Sequence, residues 1–290
     1  METIQFMATG DWGTDSYVHQ LNTMNLEKIK EELDFCILLG DNFYPSGVAS
    51  ENDSQWRTKF KKTFPASLPC FAILGNHDYI QNPHAQIGYT KKGKNWKMPY
   101  FYYDLVVNID TKSSIHFIFI DTCLICDDIT VPLLRGTETT DKNLLEYLTL
   151  YKDLKQKQLK WLNKTLANSK STWKIVCGHY PVLSNGPHRI SKQLGEILPP
   201  IFEKFGVHIY LSGHDHNLQH IVFKKTHYVV LGGFSSFYPI AQENTTMKKH
   251  YNRFISGLGG FGKFTVNKDG LTMDFLGSNN DVLYQMNLPT

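Results

Sequence analysis

No apolar run in the 290 residues approaches the ~18 that a membrane-spanning helix requires. The opening Met1-Glu2-Thr3 runs directly into Ile4-Gln5-Phe6-Met7, without the basic stretch and apolar core of a secretory leader. That points to an intracellular chain, or to a secreted or lysosomal one if the sequence begins inside a longer precursor. Net charge is also scarce. A formal +3 argues against a nucleic-acid partner or an anionic membrane surface. Cysteine is sparse and odd in number, with five thiols set mostly inside apolar runs (Cys36, Cys70, Cys123, Cys126, Cys177), where they read as small core residues. Cys123 and Cys126 have the C-x-x-C spacing, but no second pair completes a zinc site. There is no internal repeat and no low-complexity tract. With 41% hydrophobic and 20% charged residues the composition is that of a folded protein, long enough for one large domain over residues 1–290, expected as a monomer.

Against these absences stands one recurring pattern. The apolar run 207–212 ends in Gly213-His214-Asp215-His216, two imidazoles that a turn can aim into one pocket. Four other apolar runs end in the same kind of side chain. Ile4–Thr9 leads to Gly10-Asp11-Trp12-Gly13, and 35–39 to Gly40-Asp41-Asn42-Phe43-Tyr44. The run 70–74 leads to Gly75-Asn76-His77-Asp78, and Trp173–Cys177 to Gly178-His179-Tyr180-Pro181. Asp and Asn also cap helices and turns, but five such ends at one structural position are hard to explain as turns. In α/β sheets ligands bind past the carboxyl ends of strands.

Between these runs, helical spacing predicts helices over 17–33, 54–64, 154–166 and 191–205, the last interrupted or kinked at Pro199-Pro200. Residues 82–99 read as a polar surface excursion, 101–109 and 116–120 as a strand pair, and 126–141 as a long loop. Further strands are expected over 227–231, 262–266, 271–276 and 282–288. So many strands suit two sheets packed face to face with helices outside.

The five blocks, Gly-Asp-x-Gly, Gly-Asp-x-x-Tyr, Gly-Asn-His-Asp, Val-x-Gly-His and Gly-His-x-His, resemble the metallophosphoesterase superfamily, and more closely its purple acid phosphatases. His179-Tyr180-Pro181-Val182, Gly186-Pro187-His188 and Leu258-Gly259-Gly260-Phe261 are similar to the small, tartrate-resistant mammalian type. The resemblance implies an α/β four-layer sandwich, two central β-sheets flanked by helices. It also implies hydrolysis of phosphate monoesters at acid pH by a metal-held hydroxide. Small phosphorylated molecules or phosphoproteins would be the substrates. Rival readings are a phosphodiesterase or nucleotidase of the same superfamily, and a catalytically silent scaffold.

Carried over residue by residue, the resemblance implies a ferric site at Asp11, Asp41, Tyr44 and His216. A divalent site for Fe2+, Zn2+ or Mn2+ would use Asn76, His179 and His214, with Asp41 bridging. Most metallophosphoesterases read Asp-x-His in the first block; here Gly13 stands there, and Tyr44 offers a phenolate that favours trivalent iron. Two metals about 3.5–4 Å apart clamp a phosphate and hold the attacking oxygen in line. His77, beside Asn76 but assigned to no metal, is the expected general acid, with Asp78 a possible orienting partner. His188 is either a second pocket histidine or an exposed loop residue. His19, His84, His116, His208, His220, His227 and His250 read as ordinary histidines. The family pairs a cysteine near Cys126 with one directly after the position of His188; Arg189 stands there instead, so that disulfide cannot form. Residues 234–250 stand where the family has a repression loop, with Tyr238 in place of its acidic residue.

Overall fold

The structure, a computed structural model, describes residues 3–126, 142–188, 191–238 and 251–290, and of 142–148 the backbone alone. All of the loop read over 126–141 except Cys126, the tail of the 234–250 loop and His250 lie outside the described residues.

Fourteen strands are described, in two sheets of seven. In the first, β1 (Ile4–Thr9), β2 (Phe35–Leu38), β3 (Cys70–Ala72) and β4 (Trp96–Lys97) run parallel. The second contains β5 (Tyr103–Asn108), β6 (Ser114–Phe119), β7 (Trp173–Cys177), β8 (Ile209–Ser212), β9 (Leu218–Phe223), β10 (Thr226–Leu231) and β11 (Asn252–Ser256). Its strands β6, β7, β8 and β10 are parallel, in that order. The first sheet is completed by an antiparallel meander of β12 (Gly260–Asn267), β13 (Gly270–Gly277) and β14 (Val282–Pro289), attached through β12 to β1.

Alternation along each strand sorts the core into layers. Phe6, Ala8, Phe35 and Ile37 face Phe117, Phe119, Ile175 and Val229 of the other sheet. Phe6 meets Phe117 edge-on at 5.1 Å and stacks on Phe264 at 4.5 Å. The intervening Met7, Cys36 and Leu38 point outward, into the core shared with the helices. Central strands such as β2 and β8 are therefore buried on both faces. Burial of each large apolar side chain contributes about 1.5–3 kcal/mol.

Several expectations are corrected in detail. The 82–99 excursion holds a helix, Pro83–Tyr89, opened by Pro83 in its first turn, and then β4. Its Trp96 is fully buried against Trp56, with ring centroids 5.0 Å apart. Polar composition hid one large aromatic that anchors the segment. Strands β9 and β11 were not read from the sequence; β9 forms a hairpin with β10 around Lys224 at φ 55°. The helix Lys192–Phe205 is a single helix with both prolines inside it. Ser191 caps it by accepting from the Leu194 amide, and Gly206 ends it at φ 63°. The five cysteines form no disulfide with one another. Where the resemblance would place a disulfide, Cys126 Sγ donates to Ser191 Oγ at 3.2 Å.

Candidate metal centre

The ends of β1, β2 and β3 from one sheet and of β7 and β8 from the other converge. Gly10 and Gly213 make this possible: a Cβ on Gly10 would meet Gly213 Cα at 3.0 Å. Asp11, Asp41 and His214 adopt left-handed backbone at φ 58°, 52° and 66°. Such conformations cost non-glycine residues about 1–3 kcal/mol each and cluster at functional sites. Hydrogen bonds hold the three turns: the His214 amide donates to Asp11 Oδ2 at 2.7 Å, and the Asp11 amide to Gly40 O at 3.0 Å.

Around the first group, Tyr44 Oη lies 3.0 Å from Asp11 Oδ1, 2.9 Å from Asp41 Oδ2 and 3.2 Å from His216 Nε2. A phenol has one hydrogen for these three neighbours. In the second group, His179 Nε2 lies 3.1 Å from Asn76 Oδ1 and 3.5 Å from Asp41 Oδ1. The His179 Nδ1–H donates to Leu39 O at 2.8 Å, which leaves Nε2 as a lone pair facing two oxygen acceptors in the neutral ring. His216 is fixed the same way, its Nδ1 on Ser236 Oγ. Ligand-type histidines are commonly oriented by such outer partners. Asp41, His179 and His214 have ligand atoms all within 4.8 Å of one another. Asp41 stands between the groups, one oxygen toward His179 and the other toward Tyr44. More lone pairs converge here than protons exist to separate them, so the donor set fits cations.

The charges agree. Burial would raise Asp11, but the hydrogen bond and charge of His216, with His179 and His214, bring it down to about 2. Burial, then His179 and His188, holds His214 well below its usual range, as a neutral donor. Burial and the two carboxylates push the Tyr44 phenol well up; only a strong cation would make it a phenolate.

His77 lies at the rim, a third exposed, with Nδ1 2.6 Å from Pro45 O and Nε2 3.9 Å from Asp41 Oδ2. The suggestion that Asp78 orients His77 is corrected. The buried Asp78 carboxylate accepts instead from the Asn42 amide at 3.1 Å, the Gly75 amide at 2.9 Å and Gln86 Nε2 at 2.8 Å. It ties the two loops behind the site together. His188 is in the pocket: its Nδ1 and its amide both reach Asp215 Oδ1, at 2.9 and 3.1 Å, and its ring lies 4.4 Å from that of His214. Sequence reasoning missed Ser235, Ser236 and Asp215. Ser235 Oγ donates to the Asp11 carbonyl, and nothing in the sequence ties this Ser-Ser pair to residues so far away. Most remaining histidines have neighbours that suit structural roles, such as His116 between Asp104 and Ser169 at 3.0 and 2.8 Å.

Tartrate-resistant acid phosphatase type 5 from Oryctolagus cuniculus is 33% identical over 305 residues, spanning 99% of this chain and 91% of its own. The purple acid phosphatase of yellow lupin seeds superposes with a TM-score of 0.71 at 18% identity, over 99% of this chain and 54% of its own. GAP50, the anchor in the inner membrane complex of Plasmodium, superposes with a TM-score of 0.81 at 24% identity, over 100% and 89%. The two solved structures carry the fold alone. Residues 4–218 match the calcineurin-like phosphoesterase family, and these include all seven converging donors. The chain therefore belongs to the calcineurin-like phosphoesterases, as a homologue of the tartrate-resistant and purple acid phosphatases.

Proposed function

We propose that this protein hydrolyses phosphate monoesters at a mixed-valence metal pair, in the manner of a purple acid phosphatase. What supports the reading is the donor set. Asp11, Asp41, Tyr44 and His216 form one group, mostly of hard oxygens suited to Fe3+. Asn76, His179, His214 and the shared Asp41 form a softer one suited to Fe2+, Zn2+ or Mn2+. The fold alone does not carry this, because a similar fold serves as an anchor in Plasmodium. Retention of all seven donors separates an enzyme from a silent scaffold.

Bound there, the metals would supply the positive charge that neutralises the phosphate and acidifies the attacking water, which rationalises an acid optimum. The remaining work falls to the chain. As an imidazolium, His77 keeps Nδ1–H on Pro45 O and presents Nε2–H to the leaving oxygen, which must take a proton to depart as an alcohol. His188, with Nδ1–H held on Asp215, turns Nε2 toward the pocket, where it binds the phosphate or relays a proton. Tyr180 packs edge-on against His214 at 4.5 Å and holds it in place.

The deciding experiment is metal analysis with a visible spectrum of the purified protein, alongside rates on mono- and diester chromogenic substrates. Iron with a second metal, a visible charge-transfer band and a monoester preference are expected. Two divalent metals in a colourless, fully active protein would leave only the broader phosphoesterase reading. A diester preference would make it a phosphodiesterase.

A further inference from the structure

We infer that Lys59 is a positioning residue of the metal centre: its ammonium locks the loop carrying Tyr44 to the loop carrying Asp11, and so sets how tightly the first donor group holds its trivalent metal. The inference rests on the donor assignment above. Lys59 Nζ donates to the carbonyl oxygens of Gly13 and Tyr44, at 2.7 Å each. Gly13 lies two residues after Asp11, and Tyr44 three after Asp41. The Gly13 carbonyl also accepts from the Tyr44 amide, but at 3.4 Å, beyond the usual range for such a bond. The two lysine bonds are charge-assisted, and so the stronger link at this point between the loops.

The lysine is presented from a fixed support. It belongs to the π-helical turn Trp56–Phe60, in which Trp56 and Phe60 are buried. Such turns are rare and recur at functional sites. The Phe60 ring lies 6.1 Å from Trp12, the residue between Asp11 and Gly13, and 5.1 Å from Trp96. Lys59 is itself half-buried, whereas Arg57, Lys61 and Lys62 are exposed. A lysine serving solubility alone keeps its ammonium in water and not against two carbonyls. Tyr44 is thus gripped at both ends, its carbonyl by Lys59 and its hydroxyl between Asp11 and Asp41 at 3.0 and 2.9 Å. Releasing the carbonyl end frees the ring and its oxygen to move relative to the two carboxylates. Removing an outer partner of a metal ligand typically costs about 10- to 100-fold in metal affinity. The second donor group has supports of its own, such as Leu39 O on His179 Nδ1, and Lys59 donates to none of it. The loss should therefore fall on the first group.

The test uses Lys59→Met, Lys59→Arg and, as a control from the same stretch, Lys62→Met. Methionine keeps the apolar stem and removes the donors; arginine keeps the charge and more than one donor. Each protein is loaded with iron and a divalent metal and dialysed against a chelator. Retention of both metals, the visible band per bound iron and the urea midpoint of the metal-free protein are then read. Lys59→Met should bind its trivalent metal about 10- to 100-fold more weakly, with a shifted or weaker band, while the divalent metal changes less. Lys59→Arg should recover most of the loss, and Lys62→Met should match wild type. A folded Lys59→Met with the wild-type band and retention, and only a lower urea midpoint, overturns the inference, because the lysine then serves the fold alone. Equal loss of both metals overturns it as well, as a general loosening. Should Lys59→Met not fold, Lys59→Gln, which keeps an amide donor without the charge, is judged by the same criteria. If iron-loaded wild type shows no visible band, the donor assignment itself fails and takes this inference with it.

Discussion

A Cβ on Gly75 would stand 2.2 Å from Oδ1 of Asp41, the carboxylate shared by the two donor groups. It would also crowd His179 Cε1 at 2.8 Å. Neither neighbour is the free end of a flexible chain, so the crowding would displace a donor. Gly75→Ala should lose metal, with activity down on the order of 10²-fold from misplacement alone. The measurement is metal stoichiometry beside turnover. Full metal and full turnover would remove Asp41 from its bridging role.

His77→Ala tests the proton donor apart from the donor set. Turnover on an alkyl phosphate should fall about 10²–10⁴-fold while both metals stay bound. The loss should shrink for a substrate whose leaving group departs without a proton. Metal loss in this variant, or equal losses on both substrates, would reassign His77.

Tyr44→Phe removes one oxygen and keeps the ring that packs 4.4 Å from His77. The visible band of the wild type should vanish, and the trivalent metal should bind more weakly with the fold intact. A histidine two residues after Asp11, as other metallophosphoesterases have, does not substitute for it. A Cβ on Gly13 would sit 2.4 Å from the Asn42 carbonyl oxygen, so Gly13→His should fail to fold properly before it could bind metal. Persistence of the band in Tyr44→Phe would falsify the phenolate assignment.

Acid should weaken the fold at the β9–β10 hairpin. His220 bridges His227 at 2.9 Å and Tyr284 at 3.2 Å. Burial, with the charges of His227 and Arg253, pushes it from 6.5 down to about 3. The folded state therefore holds this ring neutral where the unfolded chain protonates it. The stability contribution is complete above about pH 6.5 and is lost as pH falls toward 3, amounting to about 2 kcal/mol by pH 5. His220→Gln, which keeps an amide near His227, should lose less Tm between pH 7 and pH 5 than wild type. Parallel Tm curves would show that His220 is not the group responsible.

The sequence by itself picked out the seven side chains that converge, their placement after strands and most of the strands that carry them. Those signals are local. An apolar run stopped by Gly-Asp or Gly-His fixes a strand and its turn within about ten residues, and two-face burial shows as an unbroken run. Tertiary structure decided what local signals cannot contain. Asp11 and His214 come from different sheets, and only the Gly10–Gly213 approach brings their turns into contact. The placement of His188 was open until Asp215, 27 residues on, took its Nδ1 and set its ring beside that of His214. Asp78 sits beside His77 in sequence, yet its buried carboxylate turns to the backbone of the neighbouring loop at Asn42. Periodicity reports how a segment is buried; which distant surface buries it is settled only when the two sheets close on each other.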